Sequence, residues 1–384
     1  MVSSGSSNVV IIGASFAGLP IAHTLLKEVP SARIILINPT PTFYFAIAAP
    51  RILAKPHSFA PVQYLVPIAA AFERYPSDRF DFIQDVATSI DVQAKIVTTD
   101  GGASIAFDYL VIASGSTTAS TIASDSTPIP FKPSNRDNMQ HLIHDAQQTI
   151  ISAKNIVIAG AGPIGVELAG EIAEAAQESN RPVSITLISA TERVLPMLKE
   201  TGSTAAERLL SGKQIKIRTS RRVNKAIPAK ETKMWDIILD NGEVIKTDLY
   251  IPTTGVLPNN SFIPQEFLDT KGWVKVDKQL RVQGLRAQTL PIFAAGDITN
   301  NSMRLSFKAE EQATVVAANI KREILGHGKP HTYDQGNSVL MLVPVGASGG
   351  TGQLFGCTPW SPLVRMIKGK DFFISKAPSY VNPK

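Results

Sequence analysis

NIVIAGAGPIGVELA, residues 155–169, runs from four apolar residues directly into three glycines and then into an amphipathic helical pattern. A continuous β-branched run suits a parallel strand buried on both faces, and a glycine turn must follow if a helix is to begin at once. Gly160, Gly162 and Gly165 have the G-x-G-x-x-G spacing. The first glycine allows the tight turn, the second lets backbone N–H groups approach a pyrophosphate, and the third lets helix and strand pack closely. The helix N-terminus adds partial positive charge at the same point.

NVVIIGASFAGLPIA, residues 8–22, repeats this pattern with Gly13, Ser15 and Gly18. Ser15 stands at the middle position, where its hydroxyl can hydrogen-bond a phosphate. Each copy returns to a second strand, ARIILIN (32–38) and VSITLIS (183–189). Two βαβ units make this an α/β chain with two Rossmann-type dinucleotide-binding folds. The end of each second strand meets the adenosine ribose, and an acidic residue there usually binds the 2′-hydroxyl. Here Asn38 and Ser189 take those places. Asn38 can still hydrogen-bond a ribose. Ser189 does not repel a 2′-phosphate, and Arg193 four residues on can hold one or stand solvated, with Glu192 opposing it.

Each unit closes on a further strand, DYLVIASG (108–115, ending at Gly115) and TDLYIPTTG (247–255). Residues 117–138 are rich in Ser, Thr, Pro and Asn and read as a linker. LPIFAAGDITN (290–300) carries Gly296 and Asp297 at the end of a short apolar strand, before a helix over 304–326 that stops at Gly326. A carboxylate placed there can accept hydrogen bonds from the hydroxyls of a flavin ribityl chain, or cap the next segment. Glu167, just past Gly165, can face the contact between nicotinamide and flavin. Lys308, Glu310 and Gln312 can reach the flavin ring edge or form a solvated helix face. Glu167 and Lys308 are the candidate catalytic residues. Residues 331–384 read as a small, β-rich C-terminal domain of α+β class with an apolar, glycine-interrupted face.

Bulk properties narrow the function. The chain has 384 residues, 44% apolar and 18% charged, enough for two or three cored domains. Net charge is +6 without any block of like charges, so no nucleic-acid arm is expected. One cysteine, Cys357, excludes a protein dithiol as electron carrier and suits a reducing compartment. No apolar run is long enough to span a bilayer, and Val2 excludes N-myristoylation of the sequence as it stands. The six histidines have no ligand spacing, and no metal site is expected. His141 and His144 read as surface residues. The expected location is cytoplasmic, with a candidate peripheral membrane contact through the apolar and basic residues of 354–376.

The ordered set GASFAG, DYLVIASG, GAGPIGVELAGE, TTGVLPN and FAAGDI resembles the pyridine nucleotide–disulfide oxidoreductase superfamily. Within it, TPTFYFAIAAPR (40–51) and GGTGQLFG…VRMIKGKDFFISK resemble the apoptosis-inducing-factor-like and ferroptosis-suppressor-like group. The resemblance implies an FAD domain from 1–120 plus 255–330, an NAD(P)H domain over 121–254 and a C-terminal domain over 331–384. It implies that Gly13, Ser15 and Gly18 hold the FAD diphosphate, Asn38 the ribose, Arg51 the flavin side, and Asp297 the ribityl region. It implies a hydride passing from NAD(P)H to FAD and electrons passing on to a quinone-like acceptor. A redox-sensing interaction protein and a dedicated biosynthetic flavin oxidoreductase remain alternatives. Oligomeric state is not legible.

Overall fold

A computed structural model describes residues 6–124, 126–135, 138–229, 234–284 and 290–383. Position 2, on which the myristoylation reading rests, lies outside the described residues.

The first apolar run forms β1 (Ser7–Ile12), and the pattern behind the glycine turn forms α1 (Gly18–Glu28). β2 (Ala32–Ile37) returns parallel to β1, with Val9 opposite Ile34 and Ile12 opposite Ile37. α2 (Ala49–Ala54), β3 (Phe80–Ile83) and β4 (Tyr109–Ile112) follow. The second run forms β5 (Asn155–Ala159), α3 (Pro163–Glu178), β6 (Ser184–Ile188), β7 (Lys216–Arg218) and β8 (Leu249–Pro252). β9 (Ile292–Ala294) precedes the long α4 (Ser306–Leu325).

Two parallel sheets result. The first has the order β9-β4-β1-β2-β3, and the second β7-β6-β5-β8. β9 returns to the first sheet after the whole second unit, because Ile292 to Ala294 pair with Leu110 to Ile112. Val9 to Ile11 are fully buried, as are Ile34, Leu36, Leu110, Ile158 and Leu187, which accounts for the unbroken β-branched runs.

Two expectations need correction. The 117–138 stretch is not a simple linker: Thr118, Ser120, Thr121, Ile129 and Phe131 are buried within it. Its hydroxyl-rich composition is used internally, with Thr118 and Thr121 hydrogen-bonded through their side chains at 2.8 Å. The C-terminal region is not β-rich: among the described residues it holds one hairpin, β10 (Met341–Pro344) with β11 (Gly350–Gln353). Helical turns follow, ending in α5 (Ala377–Val381). These turns bury Val364, Phe372, Ile374 and Val381.

α3 is the hub. Glu167, Glu171 and Glu174 lie at i, i+4 and i+7, on one buried face. Each takes cations from elsewhere in the chain. Glu167 pairs with Lys368 at 2.6 Å, and Glu171 takes a bidentate pair from Arg51 at 2.8 Å. Glu174 pairs with Lys55 at 3.0 Å and Lys213 at 2.8 Å, and accepts from the Ala347 amide. Those cations hold its carboxyl down near 2 although burial opposes this. Gly170 lies between these acids because a Cβ there would be 2.8 Å from the Gly346 amide. Three glutamates thus join the second fold to α2 of the first and to the C-terminal region.

Candidate active site

Both glycine turns are set by contact. Gly13 (φ +107°) and Gly160 (φ +116°) hold left-handed backbone. A Cβ on Gly18 or Gly165 would lie 1.9 Å from the carbonyl oxygen of Gly13 or Gly160, so only hydrogen fits where helix crosses strand. Gly162 differs. It is the residue before α3, with φ −76°, and a Cβ there would meet no atom within 4 Å. Neither chain packing nor a left-handed φ demands glycine at 162. The space in front of a helix N-terminus is open, which is the cradle a dinucleotide pyrophosphate requires.

One cavity of about 690 Å³ opens onto both turns. Gly13, Ser15, Asn38, Gly115, Gly296 and Asp297 line it from the first fold, and Gly162 and Glu167 from the second. Asn38 is already engaged: its Oδ1 accepts from the Ala14 amide at 2.9 Å and its Nδ2 donates to the Thr40 carbonyl at 2.8 Å. It braces the turn and can offer a ribose only the remaining lone pair of Oδ1. Asp297 accepts from Ser116 Oγ at 2.7 Å and pairs with Lys132 Nζ at 2.9 Å. Burial favours its protonated form, but Lys132, Ser116 and Arg304 outweigh this and hold the carboxyl below its usual range. A carboxylate kept ionised at the cavity wall suits flavin hydroxyls, and the open turn suits a diphosphate, so the residues fit FAD.

Glu167 is buried at the junction of the two folds. Burial raises its carboxyl above the usual range, with the neighbouring Lys368 partly opposing this. Lys368 comes from a π-helical turn, Arg365–Gly369, and also donates to the Leu342 carbonyl at 3.1 Å. Non-α turns of this kind often re-aim a side chain at a functional site.

Other expected residues lie elsewhere. Arg51 is not on the cavity: its guanidinium is consumed by Glu171 and the Lys370 carbonyl, and lies 4.7 Å over the ring of Phe372. Lys308 is also off the cavity, paired with Glu311 at 2.8 Å. α4 presents Ser306 and Ala309 to the space, and at 100° per residue Lys308 points away. Gln312 instead braces the turn before Asp297, accepting from the Gly296 amide at 2.7 Å. Glu310 interacts with Tyr380. Arg193 donates to the carbonyls of Pro196 (3.3 Å) and Leu198 (3.1 Å), and Ser189 Oγ donates to the Arg193 carbonyl at 3.0 Å, so both hold their own loop. His141 is exposed and pairs with Asp145 at 3.1 Å. Lys132 and Ser116 carried no sequence motif, and Lys368, inside the C-terminal VRMIKGKDFFISK segment, was not read as a site residue. The 167/171/174 acid spacing was the one signal that could have pointed towards Lys368.

The family model of pyridine nucleotide-disulphide oxidoreductases matches residues 7–313. The chain belongs to that family. It is 34% identical to oxidoreductase ptaL of Pestalotiopsis fici, over 98% of each chain. It is 25% identical to human ferroptosis suppressor protein 1, over 97% of this chain and 95% of that protein. The solved sulfide:quinone oxidoreductase of Aquifex aeolicus shares the fold, with a TM-score of 0.78 at 19% identity, covering 99% of this chain and 93% of that one. The protein is therefore an NAD(P)H-dependent flavoprotein oxidoreductase that uses FAD. Its single cysteine, Cys357, is exposed, so this family member has no intrachain disulfide to cycle.

Proposed function

We propose that the protein oxidises NAD(P)H and reduces a quinone-class acceptor in the cavity that both glycine turns share. The observation that carries this reading is the Glu167–Lys368 pair, buried between α3 and the C-terminal region and facing that cavity. Bound FAD supplies two-electron chemistry, accepting a hydride and releasing electrons to the acceptor. The open turn at Gly162 receives the nicotinamide dinucleotide, and the turn at Gly13 with Asp297 and Lys132 holds FAD. Glu167, one helical turn into α3, orients the reacting rings. Ile47, Pro50, Met197, Met341 and Leu342 make the adjoining wall apolar, which suits a quinone ring and excludes water. A quinone gains two protons with its two electrons. The hydride of NAD(P)H accounts for both electrons and one of the protons; Lys368 Nζ, on the cavity wall and held there by Glu167, is placed to pass on the other, drawn from solvent.

The same reading assigns the exposed C-terminal patch to a membrane surface from which an apolar acceptor would arrive. Phe355, Trp360 and Met366 are 88%, 75% and 68% exposed, and Arg365, Lys370 and Lys376 of the same C-terminal segment are exposed too. Exposed apolar and basic residues in one segment suit anionic lipid, at about 1 kcal/mol per cation. Val364 and Phe372 are core residues and take no part. Among the described residues no helix is long and apolar enough to cross a membrane.

Anaerobic mixing with NADH or NADPH should bleach the flavin, and a soluble quinone should restore its colour. Reoxidation no faster with quinones than with dioxygen would refute the acceptor class.

A further inference from the structure

We propose that Arg221, on the loop after β7, is the residue that recognises a 2′-phosphate, making NADPH the preferred donor. This rests on the second glycine turn being the nicotinamide dinucleotide site. The geometry lies at the C-terminal end of β6, where the adenosine ribose of a dinucleotide seated on the 160–165 turn must fall. The Gly160 amide donates to the Ile188 carbonyl at 2.9 Å, so the turn and the end of β6 adjoin directly. Beyond Ile188 the edge is stitched to the loop following β7. The Ser189 amide donates to the Arg218 carbonyl at 2.8 Å, the Arg221 amide to the Ser189 carbonyl at 3.0 Å, and the Ser220 amide to the Thr191 carbonyl at 2.9 Å. Arg221 is thereby fixed beside the position where a carboxylate would select a free 2′-hydroxyl. That position is instead Ser189, whose hydroxyl is 3.0 Å from Thr191 Oγ1.

The charges around this point favour one arginine. Arg193 is turned back onto the carbonyls of Pro196 and Leu198. Arg218 is shared with Glu243 at 3.4 Å. Arg221 donates through Nη1 to the Ser220 carbonyl at 2.7 Å, a bond that keeps the side chain at this loop and uses one of its five N–H groups. Arg222 is exposed on the same loop and adds to the positive field, while Glu192 is the exposed acid of the facing loop. A guanidinium matches a phosphate in a bidentate geometry that a 2′-hydroxyl cannot supply. The charge that selects the donor therefore comes from the neighbouring strand's loop, not from the loop that follows β6.

The test uses the FAD-loaded protein and calorimetric binding of ADP-ribose and 2′-phospho-ADP-ribose, which carry no nicotinamide and undergo no reaction. Wild type should bind the phosphorylated ligand at least tenfold more tightly. Arg221→Ala should abolish that preference and leave ADP-ribose affinity unchanged. Arg221 is half-buried in a loop, and its main-chain bonds survive the substitution, so the variant should fold. Equal affinity of wild type for both ligands, or an undiminished preference in Arg221→Ala, would overturn the subsite while leaving the dinucleotide site standing. Binding of neither ligand by wild type would overturn both.

Discussion

Two glycines of one motif should respond in opposite ways to the same added methyl group. An alanine Cβ at Gly162 meets no chain atom within 4 Å, and φ −76° suits any residue. The folded protein should lose no more than about 0.5 kcal/mol, as at ordinary unpacked sites. The same methyl at Gly165 would lie 1.9 Å from the Gly160 carbonyl oxygen and 2.7 Å from Thr253 Oγ1. Relief requires α3 to move off β5, and overpacking of that kind costs about 1–3 kcal/mol or more. Ligand binding should show the reverse. Gly162→Val fills the space in front of the α3 N-terminus and displaces a pyrophosphate oxygen from the backbone N–H groups. A hydrogen bond to a charged group is worth about 1.5–3 kcal/mol, so loss of one weakens NADPH binding by roughly 10- to 150-fold. The assay is thermal unfolding beside NADPH calorimetry, with FAD content measured from absorbance. Gly162→Val should melt with wild type, keep its flavin and bind NADPH poorly, whereas Gly165→Ala should melt early. Unchanged NADPH affinity in Gly162→Val would refute the reasoning. Loss of FAD with NADPH binding retained would show that the two folds have been assigned the wrong way round.

Three further outcomes are expected. Asp297→Ala removes the carboxylate held by Lys132 and Ser116 and should lower FAD occupancy of purified protein; full occupancy would remove Asp297 from the flavin site. His23 donates from Nε2 to the Val381 carbonyl at 2.7 Å and accepts at Nδ1 from Tyr75, so it is neutral when folded. Burial, with the nearby cations Arg74 and Lys27, lowers its pKa from 6.5 to about 4 against the opposing Val381 bond. Below pH 6.5 the unfolded chain takes up a proton that the folded chain refuses. Stability is therefore lost as pH falls from 6.5 towards 4, by about 3 kcal/mol in total. His23→Gln should flatten that part of the urea-midpoint profile, and an unaltered slope would exclude His23 as its source. Phe355→Ser with Trp360→Ser should abolish co-flotation with anionic liposomes while leaving NADPH oxidation with a water-soluble quinone intact; co-flotation equal to wild type would refute the membrane surface.

Much of this protein is written locally. A buried parallel strand needs an unbroken apolar run, and a helix that starts at once needs glycine. Residues 8–22 and 155–169 therefore announce both folds without any long-range information. Asp297 is legible for the same reason, because a carboxylate closing a short apolar strand is a local anomaly. Three expected residues are engaged elsewhere, for two different reasons. Lys308 and Arg193, read as site residues for their charge near a motif, are taken up by neighbours in their own helix or loop, whereas Arg51, placed at the flavin by the resemblance, is held by partners that sequence distance conceals. Arg51 meets Glu171 across 120 residues, and Lys368 meets Glu167 across 201. The Ser/Thr-rich 117–138 stretch reads as a linker by composition, yet Thr118, Ser120, Thr121, Ile129 and Phe131 are buried within it, Thr118 bonds Thr121, and Lys132 reaches Asp297.

The sequence by itself determined the periodicities, the two glycine turns and hence the class of ligand each turn can receive, since these depend only on neighbours along the chain. Tertiary structure alone decided which cations answer the three glutamates of α3. It also decided which wall of the cavity Lys368 joins, and that the Arg193 side chain turns back onto its own loop while Arg221 is held beside Ser189. A side chain's partner depends on how helices and strand edges from distant segments are brought together, and no local pattern of residues records that.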